Sequence, residues 1–206
     1  MRSNLVFTHT IVRSGVPEYH SGVGAEPGDG QGMPDLTIRP ARAADAEPIG
    51  LIYNHYVRTS TATFDIVERS AIDQEAWLSD HGDLHPALVA ESGGEVVGWG
   101  SLSPWGTRHA YRQSVEISVY VAPDHVGAGV GPALGQVLVA RARELGHHAV
   151  ISQIVHENEA SISMALRMGF APIGTLREVG RKFDRWLDVV LMELVLQDGD
   201  GSGALA

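Results

Sequence analysis

The stretch from Ser114 to Leu145 constrains the fold of this chain most, because a strand, a glycine-rich turn and a helix follow one another within it. Its first eight residues, SVEISVYV, place apolar side chains at every second position, which predicts a strand with one apolar face. Pro132 then stands in the first turn of a segment whose apolar residues recur at helical spacing, typical of a helix start.

Glycines occupy every second position of the turn itself, at Gly127, Gly129 and Gly131. Without a Cβ, such a backbone can curl tightly and expose its N–H groups to a ligand. The helix that follows adds unpaired N–H groups and the positive end of its dipole, which together favour phosphate. The first hypothesis is therefore a phosphorylated ligand.

The composition restricts the class of protein. Hydrophobic and charged fractions of 44% and 19% are those of a globular domain, and 206 residues suffice for one α/β domain with a full core. The net charge of −10 disfavours binding to nucleic acid or to an anionic membrane. The chain has no cysteine, which excludes thiolate nucleophiles and disulfides and fits a reducing compartment. We expect a cytoplasmic protein with no membrane span.

The chain divides into three parts by composition. Residues 1–34 are rich in Gly and Pro without periodicity and predict a disordered extension, or the product of an upstream start codon, since Met33 lies just before the domain. Residues 35–197 carry the periodic segments and form the predicted domain. Residues 198–206 predict a disordered tail.

Within the domain, the patterns predict strands alternating irregularly with helices, which indicates an α/β (α+β) fold with a mixed sheet flanked by helices. Asp45 is the expected cap of the first helix, and residues 57–72 are expected to be irregular. The predicted strands are Leu36–Arg39, Ala87–Glu91, Glu95–Leu102, Val115–Val121, Ala149–Val155, Phe170–Glu178 and Leu187–Leu196. The later predicted helices are a short one around Asp73–Asp80, the one after the glycine turn, and Glu159–Met168.

Two irregular segments could hold a polar substrate. Phe64 lies in the hydroxyl-rich stretch at 57–72, either as the wall of a binding site or as an anchor into the core. The segment at 103–113 mixes aromatic rings with guanidinium groups suited to carboxylates. Its candidate substrate-binding residues are Trp105, Arg108, Tyr111 and Arg112.

The histidines do not indicate a metal site. His81 and His85 are four apart, but Gly82 and Pro86 disfavour the helix that would align them. His147 and His148 follow a helix end and are expected at the surface.

Six segments together resemble the GCN5-related N-acetyltransferases, in particular the phosphinothricin and methionine sulfone N-acetyltransferase branch, over about residues 36–197. They are TSTATF at 59–64, AYRQSVEISVYV at 110–121, GAGVG at 127–131, NEAS at 158–161, MGF at 168–170 and GTLREVGRKFDRWLDVVLME at 174–193. The resemblance implies a mostly antiparallel sheet of this family's type and a homodimer.

The resemblance also implies acetyl-CoA-dependent transfer to a primary amine, by direct attack rather than through an acetyl-enzyme. The pyrophosphate of coenzyme A would bind the turn formed by Val126, Gly127, Ala128, Gly129, Val130 and Gly131. Val119, Tyr120 and Val121 would pair main chain to main chain with the pantetheine arm. Asn158, which can also act simply as a helix N-cap, would contact coenzyme A.

An amine acceptor needs a base, because an ammonium group cannot attack a thioester until it loses a proton. Glu116 lies on the polar face of the central strand, just before the glycine turn, and the resemblance assigns the general base to this glutamate. The alternative is a structural role, in which Glu116 pairs with Arg108, Arg112 or a hydroxyl.

The chain departs from the family pattern at three places. Basic side chains among the first turn positions are replaced by Val126, Gly127 and Ala128, which predicts weaker coenzyme A binding. Ala165 occupies the position where relatives carry the Tyr or His that protonates the leaving thiolate. Gly106 replaces an arginine that some relatives use for a substrate carboxylate.

The expected reaction is acetylation of a small amino-acid-like amine such as phosphinothricin, methionine sulfone or methionine sulfoximine. One alternative is another small amine, namely an amino acid, a polyamine or an antibiotic. The other is a weakly catalytic acyl-CoA-binding protein. In the shared terminal stretch, Trp186 is expected to pack and Asp188 to lie at a turn or strand edge.

Overall fold

The computed structural model describes residues 36–196 as one sheet with helices on both faces. The strands are β1 (Thr37–Pro40), β2 (Ala87–Ser92), β3 (Glu95–Pro104), β4 (Ser114–Val121), β5 (Ala149–Val155), β6 (Ala171–Lys182) and β7 (Arg185–Val195). The helices are α1 (Ala46–Thr59), α2 (Ala71–Ser79), α3 (Val130–Glu144) and α4 (Glu159–Arg167), with short 3-10 turns at Ala43–Asp45, His109–Tyr111 and Pro123–His125. The extension and tail expected at 1–34 and 198–206 lie outside the described residues.

The sheet has the strand order β1-β2-β3-β4-β5-β7-β6, and all of its strand pairs are antiparallel except β4 with β5. This confirms the predicted mixed, mostly antiparallel sheet. No helix among residues 36–196 is long and apolar enough to cross a membrane.

The parallel pair separates after three residues. Pairing of β4 with β5 ends at Glu116 opposite Ile151, although β4 stays paired with β3 as far as Val121. On its other side, β5 pairs with β7 through Val155. The two strands therefore diverge in the middle of the sheet and leave a space, called here the β4–β5 gap.

Each face of the sheet carries its own core. Leu134 and Leu138 of α3 are fully buried against Val115 and Ile117 of β4. The opposite face is covered by α1 and α2, where Trp99 stacks on Tyr120 with ring centroids 4.8 Å apart. The alternation of β4 thus sends its aliphatic side chains to α3 and its polar side chains to the α1 face.

Two glycines of β3 let α3 lie close to the sheet. A Cβ on Gly100 would lie 2.7 Å from Leu138 Cδ1 and 2.8 Å from the Ser118 carbonyl oxygen. At Gly98 it would lie 2.9 Å from Val130 Cγ1. Any larger residue would push α3 outward, and with it the glycine turn that precedes the helix.

Several expectations about local structure were wrong. The first helix extends to Thr59, into the stretch expected to be irregular. Asp45 precedes α1, but its carboxylate accepts hydrogen bonds from Arg39 and from the Arg42 N–H, not from the first N–H groups of α1. His147 is buried, with its ring Nε2 2.8 Å from the Leu84 carbonyl oxygen, because α3 ends against the sheet there.

Two side chains near the carboxyl end of the domain also differ from expectation. Trp186 is 61% exposed and does not pack into the core, since it lies beside the β6–β7 turn. Asp188 lies within β7, and its Oδ1 accepts a hydrogen bond of 2.8 Å from the Glu178 N–H. Between Leu176 and Gly180 the register of β6 shifts, so Asp188 stabilises a bulge in that strand.

Gln74 offers a test of packing on the α1 face. Its side chain is 2% exposed, and within residues 36–196 neither amide atom has a hydrogen-bond partner. Because a buried polar group without partners costs roughly 1–3 kcal/mol, Gln74→Met should raise the unfolding free energy by about 1 kcal/mol. Chemical denaturation measures this change. Glu75→Met, on the exposed side of α2, is the control, and a less stable Gln74→Met variant would contradict the prediction.

Candidate active site

The β4–β5 gap contains a cavity of about 350 Å³. Residues 116–120 of β4, residues 152–155 of β5, the segment Thr61–Phe64 between α1 and α2, and one side of α4 line it. Further lining comes from the residues after α4 and from β6 and β7, namely Met168, Phe170, Leu176, Val179 and Val189. From α4 come Asn158, Ser161, Met164 and Ala165. The cavity lies where two parallel strand ends separate, so main-chain groups and side chains both face it.

The cavity passes through the sheet and does not lie on one face of it. Glu116 and Tyr120 reach it from the α1 face, while Val119 belongs to the α3 side of the strand. Two molecules approaching from opposite faces would therefore meet inside the gap. Such an arrangement suits the transfer of a group from one ligand to another.

Glu116 is the carboxylate that lines this cavity. Its side chain is half-buried, and burial raises the pKa of the Glu116 carboxyl. Gln153 Nε2 donates a 3.1 Å hydrogen bond to Glu116 Oε1, which opposes part of that rise. Among the ion pairs of residues 36–196, none joins Glu116 to Arg108 or Arg112. Burial without an ion-pair partner among residues 36–196 therefore makes this carboxylate a stronger base than an exposed glutamate.

The main chain of β4 offers hydrogen-bonding groups to the gap. The Ala122 N–H donates to the Val97 carbonyl oxygen of β3 at 2.8 Å. In an antiparallel strand pair, every second residue forms main-chain hydrogen bonds with the partner strand, and the residues between them face the other way. Val119 and Val121 therefore direct their main-chain groups away from β3, towards the gap. The Val121 carbonyl oxygen accepts from the Tyr56 hydroxyl at 2.7 Å. Tyr120 instead bonds towards β3 and contributes its side chain to the cavity.

The glycine turn presents its backbone at the amino end of α3. Gly127 and Gly129 have φ of 87° and 86°, a left-handed conformation that favours glycine, and a Cβ at either would meet nothing within 4 Å. Helix α3 begins at Val130 after Gly129, with no side chain capping its first N–H groups. These donors can hold a phosphate group only through the backbone and not through basic side chains, since residues 122–131 contain no Lys or Arg.

Asn158 caps α4, with Oδ1 accepting a 3.2 Å hydrogen bond from the Ser161 N–H, as its N-cap interpretation predicts. Ala165, one turn after Ser161, is 3% exposed and also lines the cavity. This side of α4 therefore presents a hydroxyl and a methyl group to the gap.

The residues predicted to bind substrate are divided between two places. Phe64 lines the cavity and is 39% exposed, so it is a wall residue more than a core anchor. Trp105, Arg108, Tyr111 and Arg112 lie in the connection between β3 and β4 and do not line the cavity. There the Tyr111 ring packs over Gly106, whose Cβ, if added, would lie 3.1 Å from Tyr111 Cδ2.

Sequence reasoning missed two contributors to the site. Gln153, the hydrogen-bond partner of Glu116, lies in a predicted strand whose pairing with β4 could not be derived locally. Glu157 does not line the cavity but contacts Thr61, which does: it accepts from Thr61 Oγ1 at 2.9 Å and from both terminal nitrogens of Arg185 at 3.1 and 2.9 Å. The position of Glu157 directly before Asn158, a candidate binding residue, was the one sequence feature that could have indicated its place near the site.

Comparison with known proteins identifies the family to which this chain is similar. Residues 50–170 match the Acetyltransferase (GNAT) family. The chain is 37% identical over 164 residues to an L-amino acid N-acyltransferase of Escherichia coli, which covers 79% of this chain and 95% of the relative. It is 38% identical over 167 residues to a phosphinothricin N-acetyltransferase of Streptomyces coelicolor, covering 79% and 97%. A solved phosphinothricin acetyltransferase of Sinorhizobium meliloti with acetyl-CoA has a TM-score of 0.78 and 33% identity, covering 82% and 93%.

The chain belongs to the GNAT acetyltransferase family, in its phosphinothricin-type branch, and is an acetyl-CoA-dependent N-acetyltransferase. Within residues 36–196, no three His, Asp or Glu side chains lie close enough together to hold a metal ion.

Proposed function

We propose that this enzyme acetylates the primary amine of a small amino-acid-like acceptor of the phosphinothricin, methionine sulfone or methionine sulfoximine type, with Glu116 as general base. The observation that carries the proposal is the half-buried Glu116 carboxylate, which lies inside the β4–β5 gap and forms no ion pair with any other residue of the range 36–196. The named relatives support the class of acceptor.

Glu116 would take the proton that makes the acceptor amine unreactive. The raised pKa brings its basicity closer to that of the amine, and proton transfer is most effective when the base titrates near the working pH. The Gln153 hydrogen bond favours the ionised carboxylate and so keeps the base available. Thr61, Thr63 and Phe64 form the wall opposite β5 against which the acceptor would lie.

Acetyl-CoA, when bound, supplies the acetyl group as a thioester. The N–H groups of Gly127 and of residues 129–131 would hold its pyrophosphate, whereas the Ala128 N–H already donates to the His125 carbonyl oxygen at 3.3 Å. The main chain of Val119 and Val121 would hold its pantetheine arm. Asn158, which already caps α4, would contact it at the rim. Ala165 has no proton to give to the departing thiolate, so the Ser161 hydroxyl, which also lines the cavity from α4, is the candidate proton donor.

The proposed assembly is a homodimer in the cytoplasm. Exposed apolar side chains on the edge strand β6 support it, because an unpaired edge with such residues favours association with a second copy. Ile173 and Val179 of β6 are 50% and 52% exposed, and Phe183 in the turn that follows is 50% exposed. Light scattering coupled to gel filtration tests this assembly.

A panel of amines tests the proposed function. Thiol release from acetyl-CoA is measured with phosphinothricin, methionine sulfone, common amino acids and a polyamine, and mass spectrometry identifies the acetylated product. We expect the highest kcat/KM with phosphinothricin or the sulfone. Preference for the polyamine would overturn the proposed acceptor. Coenzyme A binding without transfer to any amine would instead favour an acyl-CoA-binding protein and direct attention to Ala165.

The glycine turn gives a second test, through cofactor affinity. Val126 is 66% exposed at the turn where a cation could reach a phosphate, so Val126→Arg should lower the KM for acetyl-CoA about fivefold, equivalent to about 1 kcal/mol. The gain should shrink in high salt. Val126→Leu is the uncharged control. Equal KM values for the Arg and Leu variants would show that the turn does not hold the phosphates.

A further inference from the structure

The segment Thr61–Phe64, called here the acceptor wall, is held by contacts from the β6–β7 hairpin, which is more than 110 residues away in sequence. One contact is between the Phe64 ring and the backbone of Gly180. A Cβ added at Gly180 would overlap the edge of that ring, and even Phe64 Cζ would lie only 3.0 Å away. Gly180 has no left-handed φ, so the space for Phe64, and not the backbone conformation, requires a glycine here.

Lys182 makes the second contact, two residues further along β6. Its side chain is 4% exposed, and Nζ donates to the Thr63 carbonyl oxygen at 2.8 Å and to the Tyr56 carbonyl oxygen at 3.4 Å. Tyr56 lies in the last turn of α1, where the helix dipole favours a cation. Among the described residues, no carboxylate forms an ion pair with Lys182.

A buried ammonium group costs free energy unless its hydrogen bonds compensate. The cost shows in the pKa of Lys182, which burial lowers. The main partner of this buried cation is a carbonyl of the acceptor wall itself. The exposed contact of Thr61 with Glu157 and Arg185 adds a third link, but such solvent-exposed pairs contribute little.

We propose that Gly180 and Lys182 are positioning residues that set the place of the acceptor wall and thereby the affinity for the acceptor amine. Gly180 leaves room for the Phe64 ring, and Lys182 fixes the carbonyl of the residue before it. This inference rests on the proposed function, in which the wall contacts the acceptor. Misplacement of a substrate-positioning group by about 1 Å can cost about 100-fold in rate, so small shifts of the wall are sufficient.

The test uses two variants with matched controls. Gly180→Ala is compared with Gly174→Ala, because Gly174 lies on the same strand, has no left-handed φ, and a Cβ there would meet nothing within 4 Å. Lys182→Met is compared with Arg181→Met, whose side chain is exposed. Hydrogen exchange of residues 60–66 reports on the wall without any substrate. Steady-state kinetics report the KM for acceptor and for acetyl-CoA, and thermal denaturation verifies folding.

We expect faster exchange at residues 60–66 and an acceptor KM raised about tenfold in Gly180→Ala and Lys182→Met, with the KM for acetyl-CoA changed less than twofold. The two controls should match the wild type. Unchanged exchange in both test variants would overturn the positioning role. Faster exchange with an unchanged acceptor KM would overturn the link to affinity. A wild type that acetylates no amine would refute the proposed function and the link to affinity, while the exchange data would still decide whether the hairpin positions the wall.

Discussion

Glu116→Gln is expected to lower kcat for amine acetylation by a factor of about 10²–10⁴, the usual contribution of a general base. The amide keeps the size of the side chain and can still hydrogen-bond with Gln153, so the fold and the KM for acetyl-CoA should change little. Stopped-assay thiol release with saturating acetyl-CoA measures the effect. A variant with wild-type kcat would exclude Glu116 as the base, without affecting the membership of the family.

The pH dependence of wild-type kcat/KM also tests whether Glu116 is the general base. A base works when deprotonated, and burial raises the Glu116 pKa, so kcat/KM should fall with decreasing pH at a higher pH than an ordinary glutamate would give. Gln153 donates to the ionised form, so Gln153→Met should raise the pKa and move this acid limb to still higher pH. The plateau at high pH should remain. A limb that moves to lower pH would contradict the assignment.

Gly100→Ala is expected to destabilise the domain by about 1–3 kcal/mol and lower Tm by roughly 2–10 °C. The new methyl would lie 2.7 Å from Leu138 Cδ1 and 2.8 Å from the Ser118 carbonyl oxygen, and the latter is backbone that cannot rotate away. Helix α3 would move outward with the glycine turn, so the KM for acetyl-CoA should also rise.

Gly174→Ala provides the control for this substitution. It changes the same residue type in a strand of the same sheet, where the added Cβ meets nothing within 4 Å. Differential scanning calorimetry of both variants should give a lowered Tm for Gly100→Ala alone. Equal Tm values would show that α3 does not depend on close contact with β3.

The sequence predicted helices and strands well where the pattern depends only on neighbouring residues. The alternation in SVEISVYV and the run Ala149–Val155 gave strands with nearly the bounds observed, because period-two burial is determined by neighbouring residues. The glycines at every second position likewise predicted the turn before α3, where Gly127 and Gly129 have positive φ. Strand alternation placed Glu116 on the polar face of β4, and the family resemblance assigned it the role of general base.

The rest of the site depends on contacts between distant segments. Nothing local shows that β4 and β5 pair for three residues and then separate, or that Gln153 meets Glu116 from the next strand. The side chain of Arg108 suits a carboxylate, but tertiary packing places it outside the cavity. No local pattern indicates that Lys182 is buried, since its hydrogen bonds to the Thr63 and Tyr56 carbonyl oxygens join segments more than 110 residues apart.

A crystal structure of the enzyme with coenzyme A and methionine sulfone would test most directly whether the β4–β5 gap is the place of reaction. We expect the pantetheine arm along Val119 and Val121, its sulfur beside Ala165, and the acceptor amine within hydrogen-bonding distance of the Glu116 carboxylate. An acceptor bound instead at Arg108 and Arg112, away from the cavity, would contradict the proposed active site.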